Sequence, residues 1–137
     1  MFNLYNNNRL IAWKDFRDTL ETSNTPLEDV ADLWSRAPFV SPYLNPTDPT
    51  SWPDPWHLVL DLRLDDLAIV LGMLYTIKLT QRFANSKLEI KQVKTSQTKE
   101  LTYVLVVDNQ FVLNLEYNSV VGVENLENLK PNLLWSC

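Results

Sequence analysis

Apolar residues fill nearly every position of Leu67–Ile77, whereas polar and apolar positions alternate in later parts of the chain. An apolar run of this length, made of residues that favour helices, indicates a buried helix, and we predict one over Leu62–Phe83. Asp65 and Asp66 at its start favour the positive end of the helix dipole. Gly72 within it predicts a close approach by another backbone.

Three shorter helices are predicted before this central one. The first covers 8–20, where apolar residues recur at helical spacing. The second covers 25–36 and the third covers 54–60, and each opens with a capping residue followed by proline. Six of the eight prolines lie in the segment 38–55, so we expect this segment to be stiff and to wrap around the core.

The pattern after the central helix is typical of strands. Alternation over 87–91 and 102–107, and the strand-forming residues of 110–117, predict three strands. Asp108 and Asn109 tolerate positive φ and predict a tight hairpin between the last two strands. The chain is therefore predicted to have an α+β fold: N-terminal helices and a buried central helix packed on a C-terminal antiparallel meander of about three strands.

With 137 residues the chain is expected to form a single domain. We divide it into four parts: N-terminal helices (1–37), a proline-rich wrapping segment (38–55), the central helix with its meander (56–121) and an apolar tail (122–137).

The net charge of −5 and a pI near 4.7 disfavour nucleic acid as a partner. The apolar run is bounded by Asp66 and Lys78, too close together for a membrane span. The chain starts without the features of a signal peptide, and its single cysteine, Cys137, excludes an internal disulfide. We therefore expect an intracellular protein with no cofactor, no membrane partner and no nucleic-acid partner.

The start of the central helix reads Leu-Asp-Asp-Leu-Ala at Leu64–Ala68. A helix that begins Cys-Asp-Asp-Leu-Ala, then a strand that begins with His, then a hairpin into a strand that carries Asp, is the pattern of transglutaminase-like, papain-like cysteine enzymes. From about Pro53 to Val121 the chain resembles this family, in particular its small members in tailed bacteriophages. The matching segments are Asp65–Ala68, Tyr103–Asn109 and Phe111–Glu116.

The family's chemistry needs a thiol activated at the helix N-terminus, a histidine base and a group that orients the histidine. At the matching positions this chain has Leu64 for Cys, Tyr103 for His and Asn114 for Asp. Leucine is not a nucleophile, and tyrosine with a pKa near 10 is a poor base at neutral pH. The resemblance therefore implies a degenerate site with three vestigial positions, and we expect that the chain is not an enzyme.

Four other candidates, a single residue and three groups of residues, each have a functional and a structural interpretation. His57, the only histidine, would be a general base near Asp61 and Asp65, but a structural or surface role is favoured. Asp61, Asp65 and Asp66 would bind a hard cation, but helix capping explains them more simply. Three aromatic residues would line a ligand groove, but we prefer a structural role for them: Tyr43, Trp52 and Trp56. Four lysines would form a basic stripe, but we prefer a solvent-facing strand surface: Lys87, Lys91, Lys94 and Lys99.

The tail ends in Leu133, Leu134 and Trp135, although chain ends are usually polar. These side chains either pack on the protein's own core or dock on a neighbour, and we predict that they bind a partner. The function that we expect is a structural or interaction protein that contacts other subunits of a tailed-phage virion, assembled in the host cytoplasm. The alternative is a small hydrolase or peptide-binding domain with a residual cleft near His57.

Overall fold

The computed structural model describes residues 1–39, 44–94 and 100–137. These residues form four α-helices: α1 (Asn6–Leu20), α2 (Pro26–Ser35), α3 (Pro55–Asp61) and α4 (Asp66–Lys78). They also form five strands: β1 (Leu88–Lys94), β2 (Leu101–Val107), β3 (Phe111–Leu113), β4 (Val120–Gly122) and β5 (Asn132–Ser136). The α+β fold predicted from the sequence is confirmed.

All strands join one antiparallel sheet in the order β4-β3-β2-β1-β5. The predicted hairpin between β2 and β3 is present, and Asp108 and Asn109 adopt the positive φ values of 53° and 55° that it requires. The prediction of about three strands was too low. Two short strands were missed, because three residues in β4 and five in β5 give too little alternation to detect.

The central helix is shorter than the predicted Leu62–Phe83. It begins after Asp65, whose side chain accepts a hydrogen bond from the Ala68 amide at 2.8 Å. Beyond its last residue, the Glu21 carboxylate accepts hydrogen bonds from the amides of Gln81 and Arg82, both at 2.9 Å. These two amides therefore bond to the end of α1 and not to carbonyl groups of a continued helix.

Apolar side chains pack against both faces of the sheet. On one face α4 contacts β1 and β2, and the core there includes the buried Leu67, Leu71 and Ile77. On the other face Val104, Val106 and Val112 form a smaller cluster with residues of 121–129. None of the helices in the described residues is long and apolar enough to cross a membrane.

Gly72 packs against the ring of Trp34, so the prediction that another backbone approaches it is wrong. A Cβ atom added at Gly72 would lie 2.3 Å from Cη2 of Trp34. The same indole donates a hydrogen bond to the Thr76 hydroxyl at 3.0 Å, and so does Trp13. The small residue therefore lets α2 approach α4 across a buried tryptophan.

The apolar tail forms strand β5 at the edge of the sheet, paired with β1. Leu134 and Trp135 pack against the main core, and the Trp135 ring contacts Trp52 edge-on at 5.8 Å. Leu133 is 51% exposed. Two of the three tail residues thus pack on their own chain, and a partner for this strand stays a prediction.

Candidate binding cleft

A short non-helical connection positions the start of α4. Leu62 ends α3 in the left-handed region with φ 51°, and the chain turns there toward α4. Leu64 then points into the core with no exposed surface, and Asp65 is 5% exposed as the N-cap of α4. The preference for capping over a cation site is confirmed for Asp65. In the described residues, no group of three or more His, Cys, Asp or Glu side chains is arranged to hold a metal ion.

Asp65 also fixes the proline-rich segment beside the start of the helix. One carboxylate oxygen accepts from the Ala68 amide, and the other accepts from the Leu44 amide at 3.1 Å. Within the segment the Trp52 indole donates to the Asn45 carbonyl at 2.7 Å, and further along the Tyr75 hydroxyl of α4 donates to the Pro53 carbonyl at 2.6 Å. A buried carboxylate with both oxygens bonded to amides ties two distant parts of the chain together.

A cleft of about 190 Å³ lies between this segment, the start of α4 and β2. Its lining combines aromatic and aliphatic side chains with the two carboxylates: Phe39, Leu44, Pro46, Asp65, Asp66, Leu67 and Tyr103. Phe39 is 63% exposed at this site. The cleft therefore offers an apolar surface with an acidic part.

Asp66 supplies the acidic part. It is the first residue of α4 and is exposed, whereas Asp65 is buried. Burial of its carboxyl group, and to a smaller extent the charge of Asp65, raise the pKa of Asp66 above its usual value. None of the described residues that line the cleft is basic.

Tyr103 forms the β2 side of the cleft and is held from two neighbouring strands. On β1, the Gln92 side chain donates to the Tyr103 hydroxyl at 3.5 Å. After β3, Asn114 adopts a φ of 71°, and its side-chain amide donates to the Tyr103 carbonyl at 2.9 Å. Asn114 therefore supports the backbone of Tyr103, not its side chain.

The structure brings two of the three predicted vestigial positions into contact, Tyr103 and Asn114, and places Tyr103 in one cleft with the residues that follow Leu64. His57 is not among the cleft-lining residues. Its side chain is exposed, and its Nδ1 atom lies 2.7 Å from a carboxylate oxygen of Asp54, which raises the pKa of His57.

Sequence reasoning missed Phe39, Leu44 and Pro46. The available signal was the stiff proline-rich segment, which was expected to wrap the core. Its described part is held beside α4 by tertiary contacts that the sequence does not reveal: the Leu44 amide donates to Asp65, and the Tyr75 hydroxyl donates to the Pro53 carbonyl at 2.6 Å. The candidate residues Tyr43 and Lys99 lie outside the described residues.

The arrangement resembles solved structures of Legionella pneumophila LapG. The calcium-bound form has a TM-score of 0.67 and 17% sequence identity, and the match covers 95% of this chain and 74% of that chain. The EGTA-treated form has a TM-score of 0.61 and 18% identity, with 90% and 70% covered. Comparison of the sequence with protein families and with curated proteins finds no match.

The fold is similar to that of LapG. LapG is a transglutaminase-like cysteine protease, so the relation expected from the sequence is supported at the level of fold. The prediction that this chain is not an enzyme is contradicted by the same likeness, because the fold is that of a protease. At 17% identity the likeness shows the fold alone and assigns no reaction.

Proposed function

We propose that the chain binds a segment of another protein in the cleft at the start of α4. The observation that carries the proposal is the lining of the cleft, where exposed Phe39 and partly buried Tyr103 stand beside buried Leu67. Apolar and aromatic surface that is open to solvent gains free energy when a partner covers it, at about 25 cal/mol per Å².

The size of the cleft favours a protein side chain as its occupant. Pockets for drug-sized ligands and cofactors span roughly 300–1,000 Å³. The volume of about 190 Å³ is smaller than this range. A single apolar side chain, inserted from an extended segment that continues over the protein surface, would use such a cleft as an anchor point.

The structural relatives support the same class of partner. A protease such as LapG acts on a polypeptide, so a transglutaminase-like fold is able to hold an extended segment beside its helix N-terminus. In this chain that end of the helix carries Asp65 and Asp66 and faces Tyr103. The fold therefore supports binding of a polypeptide in the cleft at the start of α4, and this proposal does not depend on a reaction after binding.

The identity of the partner is a finer proposal that rests on the sequence resemblance. The small tailed-phage proteins that the chain resembles suggest that its partners are other subunits of a phage virion, assembled in the host cytoplasm. Mass spectrometry of purified particles tests this location. Absence of the chain from complete particles, with the chain abundant in the cell, would contradict it.

A peptide titration tests the cleft. The probe is Gly-Ser-Gly-Phe-Lys-Gly-Ser, compared with the same peptide that has Ala in place of Phe, and binding is followed by amide chemical shifts. A single anchor should give weak binding, with a Kd on the order of 1 mM. The Phe peptide should bind more tightly than the Ala peptide, because only its ring covers apolar cleft surface.

Phe39→Ala is the test variant, and Ile11→Ala is the control because Ile11 is also exposed, at 57%, but lies outside the cleft lining. The proposal predicts weaker binding in the first variant and unchanged binding in the second. Equal binding by both variants would contradict it. Mass spectrometry of the same mixtures after long incubation tests for cleavage of the peptide, which would assign an activity to the bound state.

A further inference from the structure

We propose that the cleft selects a partner segment that carries a lysine or arginine next to its apolar anchor side chain, with Asp66 as the residue that recognises the cation. This inference rests on the proposed function and specifies the partner's chemistry. The proposed function assigns an apolar side chain of the partner to the apolar lining of the cleft, and this inference assigns a cationic side chain of the same partner to its acidic part.

The two cleft carboxylates differ in what they are able to bind. Asp65 is 5% exposed, and its two oxygens accept hydrogen bonds from the Ala68 and Leu44 amides. Asp66 is exposed, and no side chain or backbone amide of the described residues forms a hydrogen bond or ion pair with its carboxylate. A cationic side chain of a partner is therefore able to reach Asp66, whereas the oxygens of Asp65 are buried and bonded to backbone amides of this chain.

The surroundings make a cation the complementary charge. The Asp66 carboxylate lies in the lining of the cleft, and none of the described lining residues is basic. The chain as a whole also carries a net charge of −5. An anionic partner segment would place like charges close together in a partly desolvated site, which disfavours binding. A cationic partner segment is attracted to Asp66 and is also steered toward the acidic protein during association.

Although Asp66 is exposed, its carboxyl group is partly desolvated by the surrounding cleft, and this supports the assignment. Partial desolvation, and to a smaller extent the charge of Asp65, raise the pKa of Asp66 above its usual value. A positive charge placed next to it would replace part of the missing solvation. A carboxylate on an open surface would gain less, because water screens such pairs.

Three peptides test the proposal: Gly-Ser-Gly-Phe-Lys-Gly-Ser and its versions with norleucine or glutamate in place of lysine. Norleucine keeps most of the aliphatic chain of lysine without its charge. Binding to the wild type, followed by amide shifts at low ionic strength, should weaken by about fivefold from lysine to norleucine and further to glutamate. The difference should shrink in 0.5 M salt.

Asp66→Asn is the test variant and Asp15→Asn the control. Asp15 is exposed on α1 outside the cleft lining, so both changes remove one negative charge. The proposal predicts that the preference for lysine is lost in the first variant and kept in the second.

The other outcomes separate this inference from the proposed function. If all three peptides bind the wild type equally, or if Asp66→Asn keeps the preference, the cation proposal is wrong while binding in the cleft stands. If none of the peptides binds at millimolar protein, both proposals fail.

Discussion

Thr76 accepts hydrogen bonds from the indole groups of Trp13 and Trp34, both at 3.0 Å, and donates one to the Gly72 carbonyl at 2.7 Å. One hydroxyl thus uses its donor and both acceptor positions, and it satisfies two buried indole N–H groups on separate helices. No feature of the sequence pairs these residues, because 63 positions separate Trp13 from Thr76. The cap at Asp65, by contrast, was predictable, since its partner lies three residues away.

Thr76→Val keeps the shape of the side chain and removes its oxygen. The two indole N–H groups would lose their acceptor inside the core, at a cost of about 1–3 kcal/mol for each unsatisfied group. We expect a clear loss of stability in urea unfolding. Thr76→Ser keeps the hydroxyl and is the control, with a smaller loss. Equal losses for both variants would mean that packing, not hydrogen bonding, sets the effect.

The pKa of Asp66, raised mainly by burial, predicts a pH dependence of stability. An acid with a higher pKa in the folded state binds its proton more tightly there than in the unfolded chain. Its charge therefore lowers stability above the folded pKa, and the penalty is relieved as the pH falls through that pKa. Asp66→Asn should raise the melting temperature slightly at pH 7, and this difference should vanish in acid.

Asp15→Asn is again the control, and its melting temperature should follow the wild type at both pH values. A lower melting temperature for Asp66→Asn at pH 7 would contradict this expectation. It would mean that the favourable interaction of Asp66 with the helix dipole outweighs its desolvation.

The secondary-structure elements were predicted best where the signal is local and continuous. The apolar run gave α4, alternation gave β1 and β2, and Asp108-Asn109 gave the hairpin. The true end of α4 was missed, because it is set by Glu21 about sixty residues earlier in the chain. The cleft was predicted only in part for the same reason. The resemblance pointed to Tyr103 and to the start of α4, but Phe39, Leu44 and Pro46 reach the cleft through tertiary contacts.

One of these tertiary contacts is testable at Asp65. Asp65→Ala removes the cap of α4 and the acceptor for the Leu44 amide, so it should cost about 0.5–2 kcal/mol and also weaken peptide binding in the cleft. Asp54→Ala is a matched control, since it removes the cap of α3. The control should lose stability while its peptide affinity stays unchanged. Equal affinities in the two variants would show that the hydrogen bond from the Leu44 amide to Asp65 is not needed to keep the cleft in its binding shape.

At the scale of the whole molecule, the chain combines a fold like that of LapG with an apolar and acidic cleft beside the start of its central helix. The likeness to LapG spans 95% of the chain, so the fold accounts for almost all of its length. What the fold does not determine is which side chains occupy the cleft. Leu64 is buried in the core beside the cleft, whereas Phe39, Asp66 and Tyr103 line it, and the binding chemistry proposed for this chain follows from these lining residues.

Intermolecular nuclear Overhauser effects between protein and peptide test the central claim most directly. The peptide Gly-Ser-Gly-Phe-Lys-Gly-Ser, labelled only on its phenylalanine ring, is added to the full chain. The account predicts contacts from that ring to the side chains of Leu67, Tyr103 and Phe39, and none to the exposed Ile11 on α1. Contacts concentrated elsewhere, with none in the cleft at a concentration where the peptide is bound, would contradict it.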